Sequence, residues 1–129
     1  VLLVEDQGQV RAVVQRTLQS NGYKVLAASE PREILKLLEA GDIRPDLLLT
    51  DIVMPGMRGP ELVERLSPLY PAMKILYMSG CNDSASEQRW LPPGGAAFLQ
   101  KPFTPETLLH RLRQALDKPA QSAVARGDM

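Results

Sequence analysis

Apolar residues fall along this chain in two alternating rhythms. Val1 to Val4 is an unbroken apolar run that stops at Glu5 and Asp6, as a strand buried on both faces does. Val10, Val13, Val14, Thr17 and Leu18 then recur at the spacing of one helix face, and Asn21 with Gly22 closes the segment. Lys24 to Ala28 reads as a second strand. Ser29 is placed to cap a helix with Pro31 in its first turn, Ile34, Leu35, Leu37 and Leu38 on its buried side and Gly41 at its end. Asp46 to Thr50 gives a third strand, Pro60 to Leu69 a helix burying Leu62, Leu66 and Leu69, and Lys74 to Met78 a fourth strand. Ser84 to Leu91 is a short polar helix candidate, cut off by Pro92, Pro93, Gly94 and Gly95. Ala97 to Leu99 is a short last strand. Thr104 as N-cap, Pro105 and Glu106 open a final helix that buries Leu108, Leu109, Leu112 and Leu116.

Five apolar strands joined by helical crossovers predict an α/β fold: a doubly wound parallel sheet with helices on both faces. In such a sheet, ligands bind beyond the carboxyl ends of the strands, where the strand order reverses. The length suits one domain, expected over residues 1–117, and the polar stretch 118–129 is expected as a flexible tail. The chain opens on Val1 inside a strand pattern, without an initiator methionine, as a segment cut from a longer protein would.

Charge narrows the functions. Lysine plus arginine and aspartate plus glutamate number 15 each, so no long-range positive field draws the chain to nucleic acid or an anionic membrane. The apolar runs are far below the ~20 residues that cross a bilayer. The lone Cys81 makes no internal disulfide, which suits the reducing cytoplasm expected for this domain. His110, the one histidine, is read as a solvated helix residue, so a phosphoryl donor would have to lie elsewhere. No histidine–cysteine cluster suggests zinc.

The predicted strand ends carry the chemistry: Glu5 and Asp6, then Asp51, Ser79 and Lys101. Singly, each has a bland reading as a cap, turn residue, loop hydroxyl or solvated charge. Jointly, the fold brings them to one crevice. Carboxylates meeting there repel by ~4 kcal/mol per pair at ~4 Å and an effective dielectric near 20. Lys101 supplies one compensating charge. A hard divalent cation with oxygen ligands, magnesium above all, would supply the rest.

The stretches VLLVEDQ, DLLLTDIVMPGMRGPEL, ILYMSG and AAFLQKPF resemble the receiver domains of response regulators and hybrid sensor histidine kinases, from Val1 to about Leu116. The resemblance implies a flavodoxin-like strand order 2-1-3-4-5, with Asp51 as phosphoacceptor and Lys101 and Ser79 contacting the phosphoryl group. It further implies Glu5, Asp6, Asp51 and the backbone carbonyl of Val53 as magnesium ligands, Ser79 and Phe98 as the switch pair, and a cis Lys101–Pro102 bond. The implied donor is a histidine kinase or its phosphotransfer domain. A receiver catalyses only its own phosphorylation and dephosphorylation, and the parent chain is expected to be a hybrid sensor kinase, with a stand-alone single-domain response regulator as the alternative.

The switch aromatic is Phe98 rather than a tyrosine, and Gly80 stands where alanine is common. The positions that line the approach of a hydrolytic water in the family are Val53 and Cys81, neither a good base for that water, so slow loss of phosphate is expected. Two other classes compete. A haloacid dehalogenase-like hydrolase needs an aspartate where Val53 stands. A flavin-binding module needs a phosphate-cradling loop after the first strand, where this chain has EDQGQV.

Overall fold

The structure, a computed structural model, describes residues 1–41, 43–53, 57–79 and 97–117. Within them the elements run β1 (Leu2–Val4), α1 (Gly8–Ser20), β2 (Leu26–Ala28), α2 (Pro31–Ala40), β3 (Leu47–Asp51), α3 (Gly59–Leu66), β4 (Lys74–Ser79), β5 (Ala97–Gln100) and α4 (Pro105–Asp117). The helix expected over Ser84 to Leu91, the proline–glycine stretch after it, Cys81 and the tail 118–129 lie outside the described residues.

All strands are parallel, in the order β2-β1-β3-β4-β5. The order reverses between β1 and β3, where Val4 stands beside Thr50, so Glu5 and Asp51 leave neighbouring strands at the same level. Alternation along the strands splits the core. Leu3, Leu49 and Leu76 pack with Val14 and Leu18 of α1 and Leu108 and Leu112 of α4. Leu2, Val4 and Leu48 pack with Ile34 of α2 and Leu62 and Leu66 of α3 on the opposite face. Because both faces are covered, every residue of β1 and β3 is buried, which is why these strands read as unbroken apolar runs.

The helix ends follow local chemistry. Gly22, at φ 90°, closes α1 in the left-handed conformation that glycine tolerates, and the amides of Gly22 and Tyr23 return to the carbonyls of Gln19 and Leu18. The Thr104 hydroxyl accepts the Thr107 amide at 3.1 Å, as an N-cap before Pro105 should. At α2 the expectation is corrected. Ser29 does not cap the helix; its hydroxyl and amide both donate to the Glu33 carboxylate, so the acid of the first turn reaches back, and Glu30 is the N-cap without a side-chain bond.

Three apolar residues are misplaced by periodicity, the first being Leu37, which is 37% exposed because α2 buries only Pro31, Ile34 and Leu38. Val13 is 58% exposed, because α1 buries only the narrow row of Val14 and Leu18, with Val10 packed against it. Leu69 is 68% exposed: α3 stops at Leu66, ahead of Pro68, which has no amide to continue it. The amides of Leu69 and Tyr70 instead fold back on the Leu66 carbonyl, and Tyr70 packs on the core in place of Leu69.

The start of α3 is uncapped. Arg58 is its N-cap, extended and without a side-chain bond, and its positive charge opposes the helix dipole. Arg58→Asn should therefore raise stability by about 1 kcal/mol in urea denaturation. An unchanged midpoint would show that this end is not a weakness.

Candidate functional site

The acidic pair at the end of β1 divides by burial. Glu5 is fully buried and Asp6 is exposed, because successive residues at a strand exit point to opposite sides. Three contacts fix Glu5: its amide donates to the Ala28 carbonyl at 3.1 Å, its Oε2 accepts the Gln7 amide at 3.1 Å, and its carbonyl accepts Arg11 Nη1 at 2.8 Å. Arg11 thus clamps the turn between β1 and α1, a task that nothing in the sequence pattern marked.

Asp51 closes β3 and is buried. Lys101 Nζ lies 2.7 Å from Asp51 Oδ1 and 2.6 Å from Glu5 Oε1, bridging the two acids. The Lys101 amide donates to the Ser79 carbonyl at 2.7 Å, which ties the lysine to the end of β4, and the Lys101–Pro102 bond is cis. Ser79 and Phe98 are half-buried on adjacent strands, where Ser79 pairs with Gln100 and Tyr77 with Phe98. The Tyr77 and Phe98 rings meet at 6.1 Å between centroids. Burial pushes the Tyr77 phenol up, so it stays protonated.

The electrostatics follow from two carboxyl groups sharing one cation. Burial, and then the Glu5 carboxyl beside it, push Asp51 up to about 8 against the Lys101 charge. Burial also works against the Glu5 carboxylate, yet its bonds to Asp51, Lys101 and the Gln7 amide outweigh it and hold Glu5 below its ordinary value. Burial disfavours the Lys101 charge as well, but the two acids raise its pKa. Burial and the nearby Glu5 raise Asp6. The two acids thus titrate as a coupled pair, and burial favours the protonated form at Asp51 over Glu5.

Asp51 Oδ2 is buried and has no hydrogen-bond partner among the described residues. Carboxylate oxygens of Glu5, Asp6 and Asp51 lie within 4.8 Å of one another. An orphaned carboxylate oxygen beside two further acids is a donor set for a hard divalent cation, and the residues present fit one. Val53, at the mouth, is 49% exposed.

A five-stranded, doubly wound parallel sheet with acids and a lysine at its switch point is the architecture of a receiver domain. Residues 1–113 match the response regulator receiver domain, and the chain belongs to that family. It is 36% identical over 118 residues to the sensor kinase CckA of Brucella abortus, covering 92% of this chain and 12% of that protein. It is 38% identical over 117 residues to the response regulator MprA of Mycolicibacterium vanbaalenii, covering 90% of this chain and 49% of that protein. Among solved structures, the chemotaxis response regulator CheY4 of Vibrio cholerae superimposes with a TM-score of 0.73 at 34% identity, over 88% of this chain and 95% of that one. A CheY-like receiver from Methanospirillum hungatei gives 0.75 at 32%, over 90% and 91%. The hydrolase and flavin-module alternatives fall with this assignment.

Proposed function

We propose that this chain accepts a phosphoryl group on Asp51 from the phosphohistidine of a histidine kinase or its phosphotransfer domain. The observation that carries the reading is the buried Asp51 carboxylate with one oxygen on Lys101 and the other unpartnered beside Glu5 and Asp6. An Asp51 oxygen attacks phosphorus, the phosphorus–nitrogen bond breaks, and the departing imidazole keeps the bonding pair and takes up a proton. Glu5, Asp6, Asp51 and the Val53 carbonyl would hold magnesium, which when bound neutralises the acids and the incoming phosphoryl oxygens. Lys101, already seated at the acceptor, stabilises the developing charge without rearrangement. Ser79 would then hydrogen-bond the acyl phosphate, and its movement would let Phe98 turn inward over Tyr77.

The likeness to CckA supports a receiver attached to a sensor kinase. The likeness to MprA supports a second reading, a response regulator that is not part of a sensor kinase. The chain spans 12% and 49% of these relatives, and the presence or absence of a histidine-kinase core in the gene that encodes it decides between them. Residues 1–117 form the receiver unit in either case, placed in the cytoplasm.

Incubation with acetyl phosphate and magnesium should add a single phosphoryl group, seen in the intact mass and lost with a chelator. Labelling that ignores chelation would sink the reading. A further outcome concerns lifetime. Exposed Val53 offers no hydrogen bond to an attacking water, so Val53→Asn should shorten the lifetime of the phosphoryl group several-fold after the donor is removed. Equal decay in both proteins would rule out that role.

A further inference from the structure

We propose that Gly59 is a positioning residue for the phosphoacceptor: its missing side chain lets the first turn of α3 seat directly on the Asp51 peptide group and hold the Asp51–Ile52 backbone at the end of β3. The inference rests on the phosphoacceptor reading above and extends it to a residue that touches neither phosphate nor metal.

Gly59 is buried at the first position of α3, and its amide donates to the Ile52 carbonyl at 2.8 Å. A methyl group built on Gly59 would stand 2.2 Å from the Asp51 carbonyl oxygen, 3.2 Å from the Asp51 carbonyl carbon and 3.3 Å from Ile52 Cα. All three are backbone atoms, so no side chain can swing aside. The strand cannot yield either, because Asp51 stands in register with Met78 of β4, and the Ile52 amide bonds the Met78 carbonyl at 3.1 Å. The crowding is local to this position. A methyl on Gly8 or Gly41 would meet only side-chain atoms, the nearest at 3.7 Å and 3.8 Å.

Alanine is the better helix former, by roughly 1 kcal/mol, so with room to spare the substitution at 59 would stabilise α3. Here it must lift the helix start or tilt the Asp51 peptide. Either movement reaches the site. The Gly59 amide bond holds the Ile52 carbonyl, next in the chain to Val53, and Asp51 itself carries the acceptor oxygens. Magnesium demands near-ideal octahedral geometry, and a misplacement of ~1 Å can cost a reaction roughly 100-fold.

The test compares the wild type, Gly59→Ala and Leu66→Ala. Leu66 is buried at the far end of the same helix and removed from Asp51, so its truncation weakens α3 without touching the site. Thermal melts rank the stabilities, and magnesium affinity is read from amide shifts in a metal titration. Gly59→Ala should bind magnesium about tenfold more weakly and label with acetyl phosphate at least tenfold more slowly, while Leu66→Ala keeps wild-type affinity. Equal magnesium affinity in Gly59→Ala and wild type, or an equal loss in both variants, would overturn the proposal. If Gly59→Ala does not fold, hydrogen exchange in the wild type decides: magnesium should slow exchange at the Gly59 amide and leave the Tyr23 amide, at the end of α1, unchanged. No added protection at Gly59 overturns it. A wild type that binds magnesium but takes no phosphoryl group would defeat the phosphoacceptor reading alone, since the affinity comparison still reads the role of Gly59.

Discussion

Asp51→Asn will take no phosphoryl group from acetyl phosphate, yet in the absence of magnesium it will be more stable than the wild type, and increasingly so as pH rises. Both outcomes come from one side chain. The amide has no nucleophilic carboxylate oxygen, so labelling is lost completely. It is also a neutral isostere of the protonated acid that the fold prefers, since burial and Glu5 push Asp51 up to about 8 from an ordinary 3.8. A carboxyl whose folded pKa is raised contributes its stability fully below the unfolded value and loses it as pH climbs to the folded one. Wild-type stability in chelator should therefore fall between about pH 4 and pH 8. Glu5 is shifted downward and acts below its ordinary 4.5, Lys101 is shifted upward and acts only above its ordinary 10.5, and Asp6, also raised, slopes in the same direction as Asp51, so the difference between wild type and variant reads Asp51. At 1.36 kcal/mol per unit the gap caps the effect near ~6 kcal/mol, and rearrangement around a shared proton brings the expected loss to roughly 3 kcal/mol. Urea denaturation at several pH values in chelator tests this. Parallel pH profiles for wild type and variant would show that Asp51 ionises in the folded protein without cost. Magnesium should restore much of the wild-type stability at pH 8 and little of the variant's, because a cation held by these carboxylates would favour their ionised form.

Much of this was legible in the residues. Strands buried on both faces have to be apolar throughout, so Val1 to Val4 and Leu47 to Leu49 announced themselves, and the helical stripes between them left only a parallel arrangement. The site was legible for a related reason: Glu5, Asp6, Asp51, Ser79 and Lys101 each end such a run, and a parallel sheet gathers its strand ends on one side. What the pattern did not carry was side-chain geometry in three dimensions. Neighbours in sequence, Glu5 and Asp6 differ in burial completely. Arg11 shows no sign in sequence that its guanidinium closes on the Glu5 carbonyl six residues back. Nothing in the sequence pattern marks Gly59, since the crowding that excludes a side chain comes from a strand eight residues away in the chain. Val13 and Leu69 fit helical spacing but lie outside the area that the sheet and neighbouring elements can cover.

Lys101→Met should produce the largest loss of stability available at the site. The side chains are similar in length, so packing changes little and the charge is what disappears. Lys101 lies 2.6 Å from Glu5 and 2.7 Å from Asp51, both almost wholly shielded from water, and no other cation is paired with either carboxylate among the described residues. Removing one partner of a buried ionic cluster costs roughly 3–5 kcal/mol, because the charge left behind stays desolvated. The proton on Asp51 softens this, which places the expectation near 3 kcal/mol at neutral pH in chelator, a fall of about 10 °C in melting temperature. Two rescues separate electrostatics from packing. Magnesium should return part of the lost stability by replacing the missing positive charge, and Glu5→Gln in the Lys101→Met background should return part of it without metal by removing the stranded carboxylate. Phosphorylation should remain slow in both rescued forms, since neither puts a cation where the acceptor meets the donor. If Lys101→Met melts with the wild type, or if the Glu5→Gln partner change deepens the loss, the lysine is not what holds the two acids together.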